Sequence, residues 1–351
     1  MASRWNRKGD SPLTSPSPST WMPTSKFMRL ARSRFAGPFA AAVLVAAAAF
    51  GFTGTSEAEP GSIVYINGRP SRVYFNDGDS FRVLSGSAEG TKARLGGFNT
   101  LENFGPAHSW GKWHPYELYV ISKQATLNAR RGVWHCTTEG DTDTYGRTLM
   151  FCPDLIVDAL GKGLAMAYGI DETPAPPEYL RAQESAKKKR LGMWAHGIPE
   201  FIMTSVHSAD EGRDHNYNRL ISTRDGHTEK WEHQDTYEEC QQICSTEVRP
   251  VAEELTATAK RMRENPELAP LLKDWFNINL EEFTARYVRS NELPGYLSAD
   301  LKVKLRAFLA GEIASGRLSK GERAKGSCMM FIEFNRWYGP DRAPCLRGKK
   351  H

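Results

Sequence analysis

Short strand-like runs broken by turn residues fill the stretch from Ser62 to Leu95, and this pattern constrains the fold more than any other feature. Asn67-Gly68 is a hairpin signal between two such runs, and Ser85 to Gly90 is a polar turn further along. Consecutive short strands joined by tight turns form a β-meander. The pattern therefore predicts the meander that a small five-stranded barrel requires.

Helical patterns follow the meander and make the predicted fold class α+β. Helices are expected over Tyr116 to Arg131, Asp154 to Leu164 and Pro177 to Trp194. A hairpin formed by Val133 to Cys136 and Thr148 to Phe151 is expected between the first two helices. The chain thus predicts three helices packed against the meander.

Three polar segments interrupt this framework: Asp77-Gly78-Asp79-Ser80, Arg94 to Glu102, and Asp143 to Arg147. Together they offer several carboxylates, one amide and two arginines. Hard cations such as Ca²⁺ take carboxylate and carbonyl oxygens as ligands. The planar guanidinium of arginine matches phosphate oxygens in a bidentate way. These residue types therefore indicate a site for a divalent cation and a phosphate.

In their order and spacing, the three segments resemble the motifs of the staphylococcal nuclease-like (thermonuclease) family, over roughly residues 62–197. The resemblance implies a five-stranded oligonucleotide-binding (OB-fold) β-barrel with three helices in residues 59–199. It also implies Ca²⁺-dependent hydrolysis of phosphodiester bonds in DNA or RNA, with single-stranded nucleic acid as the favoured partner. The sequence assigns no oligomeric state.

The resemblance carries over a role for each motif residue. Glu102 is expected to orient or deprotonate the attacking water, while Arg94 and Arg147 are expected to bind the phosphate. The residues expected at the cation are Asp79, Asn99, Thr100 through its backbone carbonyl, and Asp77 as a nearby acidic group.

Two positions depart from the family pattern. Asn99 stands where the family has a second calcium-binding Asp, so one negative charge is missing and weaker cation binding is expected. Leu101 stands where the family has Pro, which loosens the loop before Glu102. The alternative to a nuclease is therefore a catalytically degenerate module on the same fold that binds nucleic acid or protein.

Three aromatic residues, Trp110, Trp113 and Tyr168, are candidates for binding the substrate. Aromatic side chains stack on the bases of single strands. The alternative for the tryptophans is that they pack the loop between Thr100 and Pro115 onto the barrel.

The leader is typical of an exported protein. Basic residues from Met28 precede an apolar run over residues 35–52, and Ser56-Glu57-Ala58 offers a cleavage site after Ala58. We expect a signal peptide in residues 1–58, a start at Met28, and a secreted or periplasmic protein without a membrane segment after cleavage. Anchoring by residues 35–52 is the alternative.

The chain has 46 basic and 41 acidic residues, of which residues 1–58 carry seven and two. The rest of the chain therefore has 39 basic and 39 acidic residues. Bulk charge therefore gives no case for binding nucleic acid.

Six cysteines follow the leader: Cys136, Cys152, Cys240, Cys244, Cys328 and Cys345. An even number in an exported chain predicts disulfides. A hairpin centred on Thr144 places Cys136 opposite Cys152, close enough for a bridge. The other four leave two pairings open between Cys240 or Cys244 and Cys328 or Cys345, with a zinc site as the alternative.

Residues 200–351 are expected to form a mainly α-helical, cysteine-containing C-terminal domain that matches no motif. Helices are predicted over Pro250 to Arg263, Leu268 to Phe276, Leu280 to Arg289 and Ser298 to Ser315, with a further helix from Tyr237 to Cys244 and a hairpin turn at Arg224 to His227. Four histidines here are candidate metal ligands: His207, His215, His227 and His233. Envelope or partner binding is a further hypothesis for this half.

Overall fold

The computed structural model describes residues 62–212, 216–332 and 343–347. These residues belong to one compact unit, Glu57–His351. The expected signal peptide or anchor, and His215, lie outside the described residues. Within the described residues, no helix combines the length and apolar character needed to cross a membrane.

The described residues contain fourteen strands and seven α-helices. The strands are β1 (Ser62–Ile66), β2 (Arg69–Phe75), β3 (Ser80–Val83), β4 (Lys92–Leu95), β5 (Phe98–Thr100), β6 (Ala107–Ser109), β7 (Val133–Cys136), β8 (Thr148–Met150), β9 (Ala165–Ala167), β10 (Phe201–Ser205), β11 (Tyr217–Ser222), β12 (Thr228–Glu232), β13 (Gln242–Arg249) and β14 (Glu322–Met330). The α-helices are α1 (Pro115–Arg131), α2 (Pro153–Gly161), α3 (Pro177–Lys188), α4 (Ala252–Glu264), α5 (Ala269–Leu272), α6 (Asn277–Ser290) and α7 (Ala299–Ala314).

The main sheet is a curled half-barrel of six strands in the order β7-β1-β2-β3-β4-β8. The meander β1 to β4 is antiparallel, as expected, and the Asn67-Gly68 turn joins its first two strands with φ values of 48° and 79°. Both values lie in the region that a two-residue hairpin turn of this kind requires. The exact five-stranded barrel stays a prediction, and β7 and β8 do not form a full hairpin. Each instead adds in parallel to an opposite edge of the meander.

The three expected helices α1, α2 and α3 are present. Helix α1 buries Leu118, Ile121, Ala125 and Ala129, which recur at helical spacing on one face. It begins with a capping box in which His114 accepts from the Tyr116 N–H while the Glu117 carboxylate accepts from the His114 N–H. This helix thereby packs one face beneath the loop that follows β5.

The region after residue 199 is mixed rather than mainly helical. Helices α4, α6 and α7 fall where they were predicted, α5 is shorter, and the hairpin turn at Arg224 to His227 joins β11 and β12. The helix predicted from Tyr237 to Cys244 is wrong, because residues from Gln242 form β13, with alternating burial and antiparallel pairing to β14. The buried positions of β13 are Ile243, Ser245 and Glu247, so two of the three are polar and the sequence shows no apolar alternation here.

One sheet crosses the expected boundary between residues 199 and 200. Its order is β13-β14-β6, so β14 near the C-terminus pairs with β6 in the loop before α1. Cys328, Met329 and Met330 face Ser109, His108 and Ala107 in antiparallel register. The division into two domains stays a prediction, but backbone hydrogen bonds join its two sides.

The six cysteines form three disulfides: Cys136–Cys152, Cys240–Cys345 and Cys244–Cys328. The first confirms the bridge expected from the symmetric turn, since Thr137 and Phe151 form the adjoining β-bridge. The other two settle the open pairing and exclude the zinc alternative, because all four sulfurs are oxidised. Disulfides persist in oxidising compartments, so the three bridges agree with an extracellular location.

A buried ion network joins the β11–β12 turn to α6. The Nδ1 of His227 lies 2.6 Å from a carboxylate oxygen of Asp225, and its Nε2 lies 3.1 Å from a carboxylate oxygen of Glu229. Glu282 on α6 lies beside the same imidazole and accepts from Arg289 at 2.6 Å. Burial opposes the charge on His227, but Asp225, Glu229 and Glu282 outweigh it and raise its pKa to about 10. His227 is therefore a buried imidazolium held by carboxylates.

Replacing His227 by Gln should lower the free energy of unfolding by about 3 kcal/mol at pH 6, because it leaves buried carboxylates uncompensated. A raised histidine pKa stabilises the fold fully below pH 6.5, and the contribution is lost as pH rises through about 10. The difference between the two proteins, measured by urea unfolding, should therefore shrink between pH 6.5 and 10. His135→Gln removes a mostly exposed pair with Asp154 and should cost under about 1 kcal/mol. A difference that does not change with pH would contradict a charged His227.

Candidate active site

The site begins at the tight loop between β2 and β3. Asp77 Oδ1 accepts from the Asp79 N–H at 3.2 Å and from the Ser80 hydroxyl at 2.7 Å, which fixes the turn. Gly78 is packed so closely that an added Cβ would lie 2.6 Å from the Thr100 side chain. The Asp-Gly-Asp order thus has a steric reason: glycine lets this loop approach β5.

Asp79 is buried and its carboxylate is fully engaged by neighbours. Oδ2 accepts from the Thr100 N–H at 2.7 Å and from the Thr100 hydroxyl at 3.1 Å. Oδ1 pairs with the guanidinium of Arg94. The side chain is only 4% exposed, so these contacts replace its hydration. Asp79 thereby ties β3, β4 and β5 together at the site.

Arg94 lies on β4 opposite Ser80 and bridges two of the expected cation ligands. Its guanidinium donates to Asp79 Oδ1 and to Asn99 Oδ1. The Asn99 amide is oriented by its own donation to the Thr100 carbonyl at 2.9 Å. Burial opposes the charge of Arg94, but Asp79, Asp77 and Glu102 raise its pKa further above its ordinary value. Two oxygens therefore converge on one positive charge.

Glu102 lies partly buried in the loop after β5 and belongs to the same site. Burial, Asp79 and Asp77 raise its pKa to about 8, while Arg94 and Arg147 oppose that shift. Burial and Asp79 likewise raise the pKa of Asp77 to about 7. The structure thus brings Asp77, Asp79, Arg94, Glu102 and Arg147 into one electrostatic neighbourhood, although they are up to 70 positions apart in the sequence.

Arg147 is held by the turn that carries it. Its Nε and Nη2 donate to Asp143 Oδ2, each at 2.7 Å, while Asp143 Oδ1 accepts from the backbone N–H groups of Arg147 and Tyr145. The guanidinium lies over the Tyr145 ring. Burial raises the pKa of Asp143, but the bonds from Arg147 dominate and lower it below its ordinary value. Asp143 is a positioning residue that the sequence argument did not assign.

The three aromatic candidates have different surroundings. Trp110 is buried, and its indole N–H donates to the Gly197 carbonyl at 3.1 Å. Trp113 is half-buried, donates to the Met193 carbonyl at 2.9 Å and contacts the His196 ring. Both tryptophans therefore pack the loop onto the fold, which is the alternative to base stacking. Tyr168 is half-buried beside β5 and close enough to Arg94 to influence its pKa.

A second group of potential metal ligands lies in the C-terminal region. Within the described ranges, Asp225, His227 and Glu282 bring ligand atoms within 4.8 Å of one another. Both ring nitrogens of His227 already face carboxylates, and its raised pKa keeps the ring protonated. This group is accordingly an ion network rather than a metal site. His207 pairs with Glu211 and His233 with Asn218, and of the candidate histidines in the described ranges only His227 belongs to such a group.

His108 is a second residue that the sequence argument missed as a site component. It lies on β6, is buried, and its Nε2 accepts from the Glu102 N–H at 3.1 Å. Asn103, next to Glu102, is anchored to α1 through the hydroxyls of Thr126 and Ser122 at 2.6 and 2.7 Å. No sequence signal pointed to His108, because its contact to Glu102 exists only once β6 is paired with β14.

The structure thus combines a curled β-sheet with a cluster of carboxylates and arginines. A family model described as Staphylococcal nuclease homologue matches residues 122–196, which confirms the resemblance drawn from the motifs. The matched segment holds Arg147 and Tyr168 and begins after Asp79, Arg94 and Glu102. No curated protein matches the chain. The match indicates a nuclease-like or nucleic-acid-binding function.

Replacing Asp79 by Asn should destabilise the fold, because Arg94 loses a buried counter-ion and the amide NH₂ meets either Arg94 or the Thr100 N–H, which are donors. Breaking a buried pair in this way costs about 3 kcal/mol or more. Urea unfolding measures the loss. The control is Asp158→Asn, which weakens a more exposed contact to Lys162 and should cost under about 1 kcal/mol. Equal losses in the two variants would show that the Asp79 contacts do not organise the site.

Proposed function

We propose that the protein is an exported, Ca²⁺-dependent nuclease that hydrolyses phosphodiester bonds of DNA or RNA. One observation carries the proposal: Glu102 shares a partly buried site with two arginines and two aspartates. The nuclease-family match to residues 122–196 supports it. A module that only binds nucleic acid would not require a carboxylate near the two phosphate-binding arginines.

The oxygen atoms at Asp79 and Asn99 fit a hard cation in their chemistry. Both converge on the positive guanidinium of Arg94, so they already form a cation-facing pair. We propose that Asp79, Asn99 and the Thr100 carbonyl hold Ca²⁺, with Asp77 adding negative charge beside them. Arg94 would share these oxygens with the ion or yield them to it. Bound Ca²⁺ would polarise a phosphoryl oxygen and add positive charge near the reacting phosphate.

The side chains have separate tasks in this reaction. In its ionised form, which predominates above its pKa of about 8, Glu102 accepts a proton from the attacking water or orients that water toward phosphorus. Arg94 and Arg147 donate hydrogen bonds to the phosphate oxygens, where negative charge gathers in the transition state. Asp143 keeps Arg147 in one orientation, so less freedom is lost when the phosphate binds. Tyr168 is proposed to contact the substrate beside Arg94.

The first test is digestion of single-stranded DNA and RNA by the purified, oxidised protein, with Ca²⁺ and with a chelator. Glu102→Gln should reduce Ca²⁺-dependent cleavage by about 100-fold or more, because the proton acceptor is lost. Glu89→Gln changes an exposed carboxylate in a turn and should leave the rate unchanged. Absence of cleavage with Ca²⁺, Mg²⁺ and Mn²⁺ would favour the degenerate binding module. Asn99, which lacks the negative charge of the family Asp, is the physical reason for that alternative.

Asn99→Asp should strengthen Ca²⁺ binding by roughly tenfold, because it restores a carboxylate ligand. Without the cation, the new carboxylate faces the Thr100 carbonyl that Asn99 now contacts as a donor, so the two oxygens repel each other. Added Ca²⁺ should therefore raise the Tm of the variant more than the Tm of the natural protein. Calorimetry and thermal unfolding measure both effects. Activity that appears only in the variant would identify the natural domain as degenerate.

A further inference from the structure

The loop that carries Glu102 is fixed from both sides of the expected domain boundary. Residues 101–106 form no regular secondary structure between β5 and β6. Leu101 is buried in the core, and Asn103 is anchored to α1. Between these two anchors, the backbone N–H of Glu102 donates to His108 Nε2 at 3.1 Å. His108 thus supplies a hydrogen-bond acceptor at the residue whose carboxylate faces the site.

His108 depends on the C-terminal region for its own position. It lies in the middle of the three-residue strand β6, opposite Met329 of β14. Cys328, the residue before Met329, is bonded to Cys244 of β13, and Ser327 accepts from the Met203 N–H at 2.7 Å. A strand of three residues cannot persist alone, since isolated two-stranded pairs are already marginal in water. The disulfide-bonded strands therefore hold β6 in place.

The chemistry of His108 suits an acceptor. Burial lowers its pKa to about 4, and a nearby Met203 carbonyl opposes that shift. The ring is therefore neutral at physiological pH and keeps one nitrogen free of a proton. With Nε2 as the acceptor, the proton resides on Nδ1. A protonated ring would present donors on both nitrogens and would lose the bond to Glu102.

We propose that His108, held by the disulfide-bonded strands β13 and β14, is a positioning residue that fixes Glu102 for phosphodiester hydrolysis. This inference rests on the proposed nuclease function. It assigns residues 322–332 a structural part in the active site. The looser loop expected from Leu101 is thus stabilised by contacts from elsewhere in the chain. Removal of residues 200–351 would take away the partner of β6 and would not leave an intact site.

Two variants of similar size separate positioning from packing. In His108→Leu the side chain fills the space but cannot accept, so kcat should fall about 10- to 100-fold with little change in KM, as expected when a catalytic group is misplaced. In His108→Gln the amide oxygen can reach toward the Glu102 N–H, and kcat should stay within about threefold of the natural value. Equal losses in both variants would overturn the positioning role. Combining His108→Leu with Glu102→Gln should add little to the loss from Glu102→Gln alone.

Hydrogen exchange at the Glu102 amide tests the same contact without any activity. The amide should be protected in the natural protein and in His108→Gln, and should exchange faster in His108→Leu. This result would support the positioning contact even if the protein cleaves nothing, in which case only the proposed nuclease function fails. Unchanged protection in a folded His108→Leu protein would overturn the inference.

The role of the C-terminal strands has its own test. The variant Cys244→Ser/Cys328→Ser should lose protection at Glu102 while circular dichroism shows that the fold is retained. Cys136→Ser/Cys152→Ser removes a disulfide at β7 and α2 and should leave the Glu102 amide protected. If Glu102 stays protected in the first variant, His108 holds the loop without the disulfide, and that part of the proposal is wrong.

Discussion

The buried carboxylate of Asp79 is the contact on which the site depends. It receives two hydrogen bonds from Thr100 and an ion pair from Arg94, so one side chain connects three neighbouring strands. Burial of a carboxylate is unfavourable unless such partners replace water. The arrangement therefore selects one geometry for the loop, for β4 and for β5 together. Gly78 permits it, because any larger residue would collide with Thr100.

The same contact limits how a cation can bind. Arg94 satisfies the oxygens that a hard cation would use, so the guanidinium and the ion compete for Asp79 and Asn99 or share them. A second carboxylate at position 99 would favour the ion in this competition, whereas the amide favours the existing arrangement. Asn99 therefore does more than remove a negative charge from the site. Its NH₂ group donates to the Thr100 carbonyl and holds it in a neutral contact.

Local features were predictable where the determining interaction is local in sequence. The Asn67-Gly68 turn, the helices α1 to α3 and the Cys136–Cys152 bridge follow from spacing within about 20 residues. The positions of Asp79, Arg94, Glu102 and Arg147 followed from a family resemblance, and the structure brings them into one neighbourhood. The parallel edges formed by β7 and β8, and strand β13, were not predicted, because long-range pairing decides between a hairpin, a strand and a helix in short polar-apolar runs.

His108 and the ion network around His227 show why the contacts of these two histidines could not be predicted from the sequence. Each is a histidine with a partner far along the chain: Met329 lies beside His108, and Glu282 lies beside His227, which also pairs with its neighbours Asp225 and Glu229. The two environments shift the pKa values of these rings in opposite directions. Burial without a carboxylate lowers the pKa of His108 and keeps it neutral, whereas three carboxylates raise the pKa of His227 and keep it charged. A neutral ring can accept from Glu102, and a charged ring can join two elements by ion pairing. The C-terminal region therefore reaches the candidate site through the backbone pairing of β14 with β6, and this contribution is part of how the site is built.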